Sequence, residues 1–449
     1  MTEAATSISS WKGVQAVPYR SLRSSFAWAF AGNAVYSACQ WAMLILLAKL
    51  GSPSLVGQYA LGFAIVTPII FFCDLQLRQV VASDVREDYQ FSEYLGFRIL
   101  SASLGLVLVA AVSLILHYEP STTWLIVLIG CAQIVEDLSD ILYARLQCLD
   151  RMDQIARSQI VRGPLSLLAL LGGLRLTGSV AWGIFGVFLA RGSVFLLYDI
   201  RVQLDSFRSR ESFRSNLRWP QQLRPGIALD RLARLIVFAL PLGVVALLVN
   251  LSTNVPRYFI AHSLGRSELG IFSALAFLVS IGNLFAGALA QATFARMAAQ
   301  FNSGHLCEFR RLLYRMVGIG TALGLAGILV AQFAGARLIS ILYRPEYARQ
   351  PQLLVGLMVV AWLGYLGQFL GYAMTAARNF RSQIPIFALT VLAITAGSYL
   401  LIPRFALAGA VFSLFLGAVI QLAGSIAVLV FAMRRRQTAL TAEMAGGAL

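Results

Sequence analysis

Five of the ionisable side chains within long apolar stretches of this chain, where charge is rare, are the strongest candidates for a functional role. They are Asp74, Glu136, Asp137, Asp140 and Arg191, and Arg191 lies deepest within its stretch. An ionisable group in mid-membrane costs about 2.5–3.5 kcal/mol on insertion scales, so such residues are usually retained for function. The sequence therefore predicts that these side chains help to move a charged substrate or ion.

A structural interpretation of the same residues is also open. Arg191 would then form an ion pair with the carboxylates at 136–140, and Asp74 would pair with Arg78 one helical turn later. Arg78 and Arg257 lie nearer the ends of their stretches. A long basic side chain can reach the headgroup region from such a position.

Amide side chains recur on single helical faces at spacings of three, four and seven residues. They are Asn33, Gln40, Asn250, Asn254 and Asn283. Polar groups within lipid usually face protein or water, so these amides are candidates to line a cavity. Hydrogen bonding between helices is the alternative role.

Twelve apolar stretches of about one bilayer thickness position these residues. They lie near residues 26–50, 55–77, 95–116, 123–147, 159–177, 180–199, 235–259, 268–292, 316–335, 353–377, 383–402 and 406–432. Hydrophobic residues make up 58% of the chain and charged residues 12%, about half the charged fraction of a soluble domain. The predicted fold class is an all-α polytopic membrane protein, in which the fifth stretch gives the weakest signal.

The basic residues alternate between the two sides of these stretches. One side, which holds both termini, carries 27 of the 36 Lys and Arg residues, and the other carries 8. This bias predicts an even number of spans, with both termini in the cytoplasm. The longest polar segment, residues 201–234, is predicted to be a basic cytoplasmic linker between an N-lobe (1–200) and a C-lobe (235–449).

The two halves also repeat a short motif. Residues 50–61 (LGSPSLVGQYAL) and 264–275 (LGRSELGIFSAL) share a Leu-Gly turn, a later Leu and Gly, and an aromatic residue at the start of the next span. The offset is about 214 residues. Since six spans per half is an even number, the repeat is predicted to be parallel, with a pseudo-two-fold axis along the membrane normal.

Several function classes are disfavoured by composition. The net charge of +16 comes from arginines that flank spans rather than from one continuous basic face, which favours anionic membrane lipid over nucleic acid as a partner. The chain has no phosphate-binding Gly loop with Lys, and its cysteines and histidines have no metal-site spacing. We therefore expect neither an enzyme nor a bound cofactor or metal.

Three segments resemble bacterial polysaccharide flippases. They are residues 46–84, residues 238–297 and the LYRPEYA motif at 342–348. The chain is similar over nearly its whole length to the polysaccharide transporter family of the multidrug/oligosaccharidyl-lipid/polysaccharide exporter superfamily. It departs from the family pattern at Gln76 and Arg344, where glycine is common.

The resemblance implies two six-helix lobes in a V shape around a cationic central cavity. It implies transfer of an undecaprenyl-pyrophosphate-linked oligosaccharide to the outer leaflet, for a polymer such as O-antigen, capsule or exopolysaccharide, alongside polymerase and assembly proteins. Arg191, Arg78 and Arg257 would match the cationic role. Asp74, Glu136, Asp137 and Asp140 would be groups for pairing or for H+ or Na+ coupling.

Two alternatives to a flippase stay open at this point. A multidrug or cation antiporter of the same superfamily would use an acidic cavity in one lobe. A membrane glycosyltransferase or polymerase would usually need a substantial outer domain, and the predicted outer segments are short.

Overall fold

The computed structural model describes residues 22–83, 89–149, 151–208, 226, 229–377 and 382–446, and the regular elements in these ranges are helices. The α-helices are α1 (Leu22–Leu50), α2 (Pro53–Asp74), α3 (Leu77–Ser83), α4 (Phe91–Ile115), α5 (Pro120–Cys148), α6 (Met152–Thr177), α7 (Val180–Val194), α8 (Ile200–Arg208), α9 (Leu229–Ser263), α10 (Arg266–Asn302), α11 (Leu306–Leu342), α12 (Pro351–Ala376) and α13 (Gln383–Gly446). A π-helical turn, Phe195–Asp199, joins α7 to α8. A 3-10 turn, Pro345–Arg349, precedes α12.

Helix α13 consists of two antiparallel arms. Its backbone leaves the helical region at Ala406, where φ is 51°. Ser398 donates a hydrogen bond to Ser413 over 3.1 Å, and a Cβ on Gly417 would lie 2.4 Å from the side chain of Ile394. Because these partners lie at similar distances on either side of residue 406, the chain reverses there. Residues 383–405 and 407–446 therefore form a helical hairpin.

Ten of the described helices are long and apolar enough to cross a membrane. Helix α5 is not among them because its second half carries Glu136, Asp137, Asp140 and Arg145, yet it has 29 residues and packs between α2, α4 and α7. Counting α5 and both arms of α13 gives the twelve spans predicted from the sequence. The fifth span, predicted to be the weakest, is the continuous 26-residue helix α6. The chain is an all-α, multi-pass membrane protein, as predicted.

Local sequence signals define where several of these helices begin and end. Ser52 accepts a hydrogen bond from the backbone N–H of Leu55 and precedes a proline at the first position of α2, the usual arrangement of a capped helix start. Helix α6 ends at Gly178 in the left-handed conformation (φ +68°), which glycine adopts at little cost. We call the end of the bundle at which α1 begins and α13 ends the inner end, and the opposite end the outer end.

The helices pack in two groups. Helices α1 to α8 contact one another through the pairs α1/α6, α6/α7, α5/α7 and α4/α5, and helices α9 to α13 do so through α9/α13, α11/α12, α12/α13 and α10/α12. The two lobes meet mainly where α2 packs against α9 and α10. Helix α8 extends to Arg208 and α9 begins at Leu229, so both described ends of the predicted 201–234 linker are helical.

An approximate two-fold relation is visible where the lobes cross. Helix α10 begins at Arg266, 213 residues after α2 begins at Pro53. A Cβ on Gly57 would lie 1.8 Å from the carbonyl oxygen of Arg266, and a Cβ on Gly270 would lie 1.9 Å from that of Pro53. The two contacts exchange equivalent residues, as a two-fold relation requires. Glycine at both positions lets α2 and α10 cross backbone to backbone at the outer end.

Candidate functional site between the lobes

Arg191, the deepest charge in the sequence, lies in an ion pair within the N-lobe. Its Nη1 is 2.6 Å from Glu136 Oε2 and donates a second bond to the carbonyl oxygen of Ala132 over 3.2 Å. The Tyr36 hydroxyl donates to Glu136 Oε1 over 2.5 Å, and Gln40 donates to Tyr36 over 2.8 Å. Arg191 is therefore neutralised by a carboxylate of α5, the alternative that the sequence left open.

A second charged group connects α2, α4 and α5 near the inner end. Arg98 of α4 is almost completely buried (1% exposed) and forms a short ion pair with Asp74, while its other terminal nitrogen lies 3.9 Å from Asp140. Arg78 binds Asp140 at 2.6 Å and Gln147 at 3.1 Å. Asp74 does not pair with Arg78, the alternative that the sequence left open, because the turn at residues 75–76 separates α2 from α3 and α4 brings Arg98 to Asp74 instead.

A third buried pair was missed by the sequence analysis. Arg162 of α6 binds Asp199 and Ser139 at 2.5 and 2.6 Å, and Ser158 donates to Asp199 over 2.5 Å. Both charged side chains are 2% exposed. Arg98 and Arg162 lie only three residues inside the predicted spans 95–116 and 159–177, and they were counted with the basic residues that flank the spans. The capping box of Gln90 and Glu93 starts α4 at Phe91, so Arg98 lies two turns into this helix, and that signal could have revealed it.

Asp137 differs from the other three predicted coupling carboxylates. Within the described part of the chain it lies in none of the ion pairs, and its side chain accepts only a long 3.5 Å bond from Gln133. Four carboxylates, at positions 74, 136, 137 and 140, therefore share the inner N-lobe with three guanidinium groups, at positions 78, 98 and 191. The group has one carboxylate more than it has cations.

Arg257 lies apart from these N-lobe groups, on α9 in the C-lobe. Its Nη1 donates to Asn254 Oδ1 over 2.7 Å, and its buried Nε has no hydrogen-bond partner in the described ranges. No described carboxylate lies within ion-pair distance of it. Of the three arginines predicted to be cationic, Arg191 and Arg78 are paired with carboxylates, whereas Arg257 has no counter-ion among the described residues.

The predicted cavity amides have different surroundings in the structure. Asn254 donates to Thr67 of α2 over 3.3 Å and so joins the two lobes, while Asn250 donates to the carbonyl oxygen of Ala246 within its own helix. Asn33 accepts from Gln159 of α6, and Asn283 is exposed on α10. Their role in substrate binding stays a prediction.

Two equivalent contacts join the lobes in mid-membrane. Trp41 of α1 donates to Ser280 of α10 over 3.4 Å, and Asn254 of α9 donates to Thr67 of α2 over 3.3 Å. The 213-residue offset between α2 and α10 carries Trp41 onto Asn254 and Thr67 onto Ser280. We call the α1/α10 contact the first seam and the α2/α9 contact the second seam.

The second seam continues to the inner end. A Cβ on Gly243 would lie 2.2 Å from the side chain of Leu75, so α9 lies directly on the last turn of α2. Further inward, Leu232 and Leu235 pack in one apolar cluster with Leu77 and Phe97 of the N-lobe. Beyond the cluster, Arg231 binds Glu93 at 3.1 Å.

The first seam is short. Helices α1 and α10 make few contacts. Trp41 makes the side-chain contacts described between them, with Ser280 and Phe277 of α10. Inward of that contact, α10 exposes a broad face that includes Asn283 and Gln291, and α1 exposes Asn33. The lobes are therefore apart along the inner half of the first seam.

The outer end is closed by more than the glycine crossing. Arg344 Nε donates to the carbonyl oxygen of Lys49 over 3.0 Å, and Arg266 binds Glu119 at 3.0 Å. Tyr343 donates to the carbonyl oxygen of Ala274 over 3.1 Å, which fixes the LYRPEYA segment on α10. The arrangement is closed at the outer end and open laterally towards the inner half of the bilayer.

The comparisons with known proteins agree with this architecture. No protein-family model matches the chain. Among solved structures, the lipid II flippase MurJ in an inward closed conformation matches with a TM-score of 0.69 at 10% identity, over 92% of this chain and 90% of that one. A MOP superfamily transporter from Pyrococcus furiosus matches with a TM-score of 0.63 at 10% identity, over 92% and 94%.

These matches show that the chain has the fold of the MOP superfamily transporters, as the sequence resemblance implied. At the level of sequence, it is similar to the capsular polysaccharide biosynthesis protein CapF of Staphylococcus aureus. The two are 25% identical over 386 residues, which is 86% of this chain and 93% of CapF.

Proposed function

We propose that this protein is a flippase that moves an undecaprenyl-pyrophosphate-linked oligosaccharide from the inner to the outer leaflet. The observation that carries the proposal is the difference between the two seams. A lipid-linked sugar has a headgroup that must leave the hydrocarbon and a tail that must stay in it. The lateral gap in the first seam gives the tail a path while the headgroup lies between the lobes.

Arg257 is the proposed contact for the pyrophosphate. A guanidinium group binds phosphate oxygens through two parallel hydrogen bonds, and a buried charge without a counter-ion gains most from such a partner. Asn254, already bonded to Arg257, orients that side chain. The N-lobe arginines Arg191 and Arg78 contribute only where the substrate displaces their carboxylates.

Movement of the two lobes relative to one another completes the proposed cycle. The outer end opens when the backbone contacts of Gly57 and Gly270 separate, and the first seam closes at the inner end. The substrate is then exposed to the outer leaflet without crossing the hydrocarbon unprotected.

The membrane potential supplies a driving force that needs no ATP. With the inside negative, outward movement of anionic charge is favourable by about 2.3 kcal/mol per charge per 100 mV. Two headgroup charges would contribute about 4–5 kcal/mol if the protein's own charges barely move. Ion coupling would add to this, and Asp137 is the proposed proton or sodium site because, of the four predicted coupling carboxylates, it is the one without an ion pair among the described residues.

Orientation and pathway complete the proposal. In this proposal the membrane is a bacterial inner membrane and both termini lie in the cytoplasm, which the excess of basic residues at the inner end supports. The similarity to a capsular polysaccharide biosynthesis protein supports a role in assembly of a surface polysaccharide. Polymerase and assembly proteins of that pathway would take over the sugar on the outer side.

The test is transport in proteoliposomes loaded with undecaprenyl-pyrophosphate-linked oligosaccharide. We expect wild-type protein to expose the sugar on the opposite leaflet, Arg257→Gln to slow transfer at least tenfold, and Arg257→Lys to retain part of it. The matched control is Arg337→Gln, an exposed arginine on α11. Transfer at the wild-type rate in Arg257→Gln would remove Arg257 from the site, and no transfer by wild-type protein would reject the flippase.

An exporter of organic cations is the second candidate function, and the unpaired Asp137 favours it. In that case the N-lobe carboxylates bind the cation, and the lipid-linked sugar is not transported. The same proteoliposomes distinguish the two functions. A cation exporter would move a fluorescent organic cation in exchange for protons or sodium ions that move down their gradient, and Asp137→Asn would abolish that movement.

A further inference from the structure

A basic surface lies at the inner end of the C-lobe, where α10 passes into α11. An open cavity of about 590 Å³ there is lined by Cys307, Arg310, Arg311, Tyr314 and Arg315. A second cavity of about 170 Å³ adjoins it and is lined by Arg296, Gln300, Glu308, Arg311, Leu312 and Arg315. Arg311 and Arg315 line both cavities, so the two form one continuous site, which we call the α10–α11 site.

Its positive charge is not balanced by the described part of the protein. Four arginines meet there, and none forms an ion pair with a described carboxylate. The single carboxylate in the lining, Glu308, accepts a hydrogen bond from Gln300 over 3.4 Å. The site therefore has the charge and the donors to bind an anion with several oxygen atoms.

The surroundings favour a lipid over a soluble anion. Tyr314 is 70% exposed beside the arginines, and aromatic residues of this kind mark the membrane interface. The next turns of α11 towards the outer end expose Ile319, Leu325 and Leu329. A basic site followed along one helix by exposed apolar residues is complementary to a phosphate headgroup with its acyl chains.

The position of the site separates it from the path between the lobes. Helix α11 packs mainly on α10 and α12 of its own lobe, whereas the lobes meet through α2, α9 and α10. The side chains of Arg310, Arg311 and Tyr314 are exposed. An occupant held there stays beside the transporter during a cycle rather than passing through it.

We propose that the α10–α11 site binds one anionic phospholipid of the inner leaflet. The arginines hold the phosphate, Tyr314 lies at the headgroup level, and the acyl chains lie along the exposed face of α11. Because the site is at the inner end, bound lipid fixes the α10 side of the first seam relative to the leaflet. The proposal does not depend on which substrate is transported.

The test measures thermal unfolding of the delipidated, detergent-solubilised protein with added dioleoyl phosphatidylglycerol, dioleoyl phosphatidylcholine or inorganic phosphate. We expect phosphatidylglycerol to raise Tm and the other two to have little effect. An arginine near an anionic lipid surface contributes about a fivefold gain in binding. The variant Arg310→Gln/Arg311→Gln/Arg315→Gln should therefore bind phosphatidylglycerol roughly a hundredfold more weakly.

Three further variants, measured in the same way, are needed to interpret the result. Arg337→Gln, on the outer part of the same helix, should match wild type, and replacement of the three arginines by lysine should retain most of the binding. If the triple glutamine variant is not folded, Arg311→Glu replaces it, because Arg311 lines both cavities. Equal stabilisation of wild type and variant by phosphatidylglycerol would overturn the proposal. A Tm shift produced fully by inorganic phosphate would overturn it too, since the site would then bind a soluble anion.

Discussion

The two seams between the lobes are built from equivalent helices and yet differ over their inner halves. Each contains a mid-membrane hydrogen bond at the equivalent position, Trp41–Ser280 in the first seam and Asn254–Thr67 in the second. Inward of that point, α9 remains packed on α2, whereas α1 and α10 separate. An approximate two-fold fold has thus produced one sealed seam and one lateral opening.

Side-chain volume accounts for the difference. In the second seam, Gly243 lets α9 approach to within contact of Phe72 and Leu75. The 213-residue offset carries Gly243 onto Phe30 of α1 and Phe72 onto Phe285 of α10, and these two phenylalanines are 62% and 63% exposed. Since a phenylalanine at residue 30 cannot allow the approach that a glycine allows, the first seam stays apart where the second closes.

The largest expected effect concerns the ion pair that joins α4 to α2, the helix on which α9 packs in the second seam. Arg98→Gln removes an almost fully buried guanidinium group and leaves Asp74, whose side chain is 16% exposed, without its charge partner at the inner end of α2. Removing one member of a buried ion pair typically costs about 3–5 kcal/mol. We expect a comparable loss of unfolding free energy, measured by denaturation in mixed micelles.

Arg78→Gln is the matched control for this change, because Arg78 and Asp140 are each about one-third exposed. It should destabilise the protein far less than Arg98→Gln. Equal losses in the two variants would mean that burial of the Asp74–Arg98 pair does not hold α2 against α4.

Much of this architecture was predictable from sequence. The length of the apolar stretches predicted the spans, and the alternation of arginines between the two sides predicted an even number of them. Both patterns are predictive because the thickness of the bilayer and the charge asymmetry across it impose them on any such sequence. The repeat at residues 50–61 and 264–275 predicted the parallel two-fold, and its glycines are Gly57 and Gly270 at the lobe crossing.

The partners of the charged residues were not predictable in the same way. The partner of Asp74 depends on how α4 packs against α2, and helical spacing alone suggested Arg78 instead of Arg98. Arg98 and Arg162 fall at the starts of the predicted stretches 95–116 and 159–177, whereas α4 and α6 begin four and seven residues earlier and so carry both side chains well inside a helix. The open first seam follows from packing between lobes, about which a hydropathy pattern carries no information.

The glycine crossing should be the next most sensitive point. A Cβ at residue 57 would overlap the Arg266 carbonyl at 1.8 Å, so Gly57→Ala forces α2 and α10 apart at the outer end. We expect at least a tenfold loss of transport and greater labelling from the outer side of a cysteine placed at Ser273. Gly172→Ala is the control, because a Cβ at Gly172 meets nothing within 4 Å. If the cysteine at position 273 were labelled as slowly in Gly57→Ala as without that substitution, the glycine crossing would not be what closes the outer end.

The role of side-chain volume in the seams is tested by placing in the second seam, at residue 243, the phenylalanine that the first seam has at residue 30. Gly243→Phe should open the second seam, since even its Cβ would lie 2.2 Å from Leu75. Cysteines at Leu75 and Ala288, which the offset relates, report the two seams: Leu75 is buried where α9 packs on α2, and Ala288 is exposed. In a cysteine-free background, a water-soluble maleimide should label position 288 at least fivefold faster than position 75, and Gly243→Phe should reduce that ratio. An unchanged ratio would show that side-chain volume at residue 243 does not seal the seam.

The smallest effect should come from the outer ion pair of Arg266 and Glu119. These side chains are 34% and 65% exposed, and exposed pairs of this kind contribute only about 0–1 kcal/mol because solvent and salt screen them. Arg266→Gln should therefore slow transport less than twofold, with the difference disappearing at high salt. The Arg266 carbonyl that meets Gly57 is unchanged in this variant, so backbone packing and side-chain charge at one residue are separated. A tenfold loss in Arg266→Gln would mean that charge, and not the glycine contact, keeps the outer end closed.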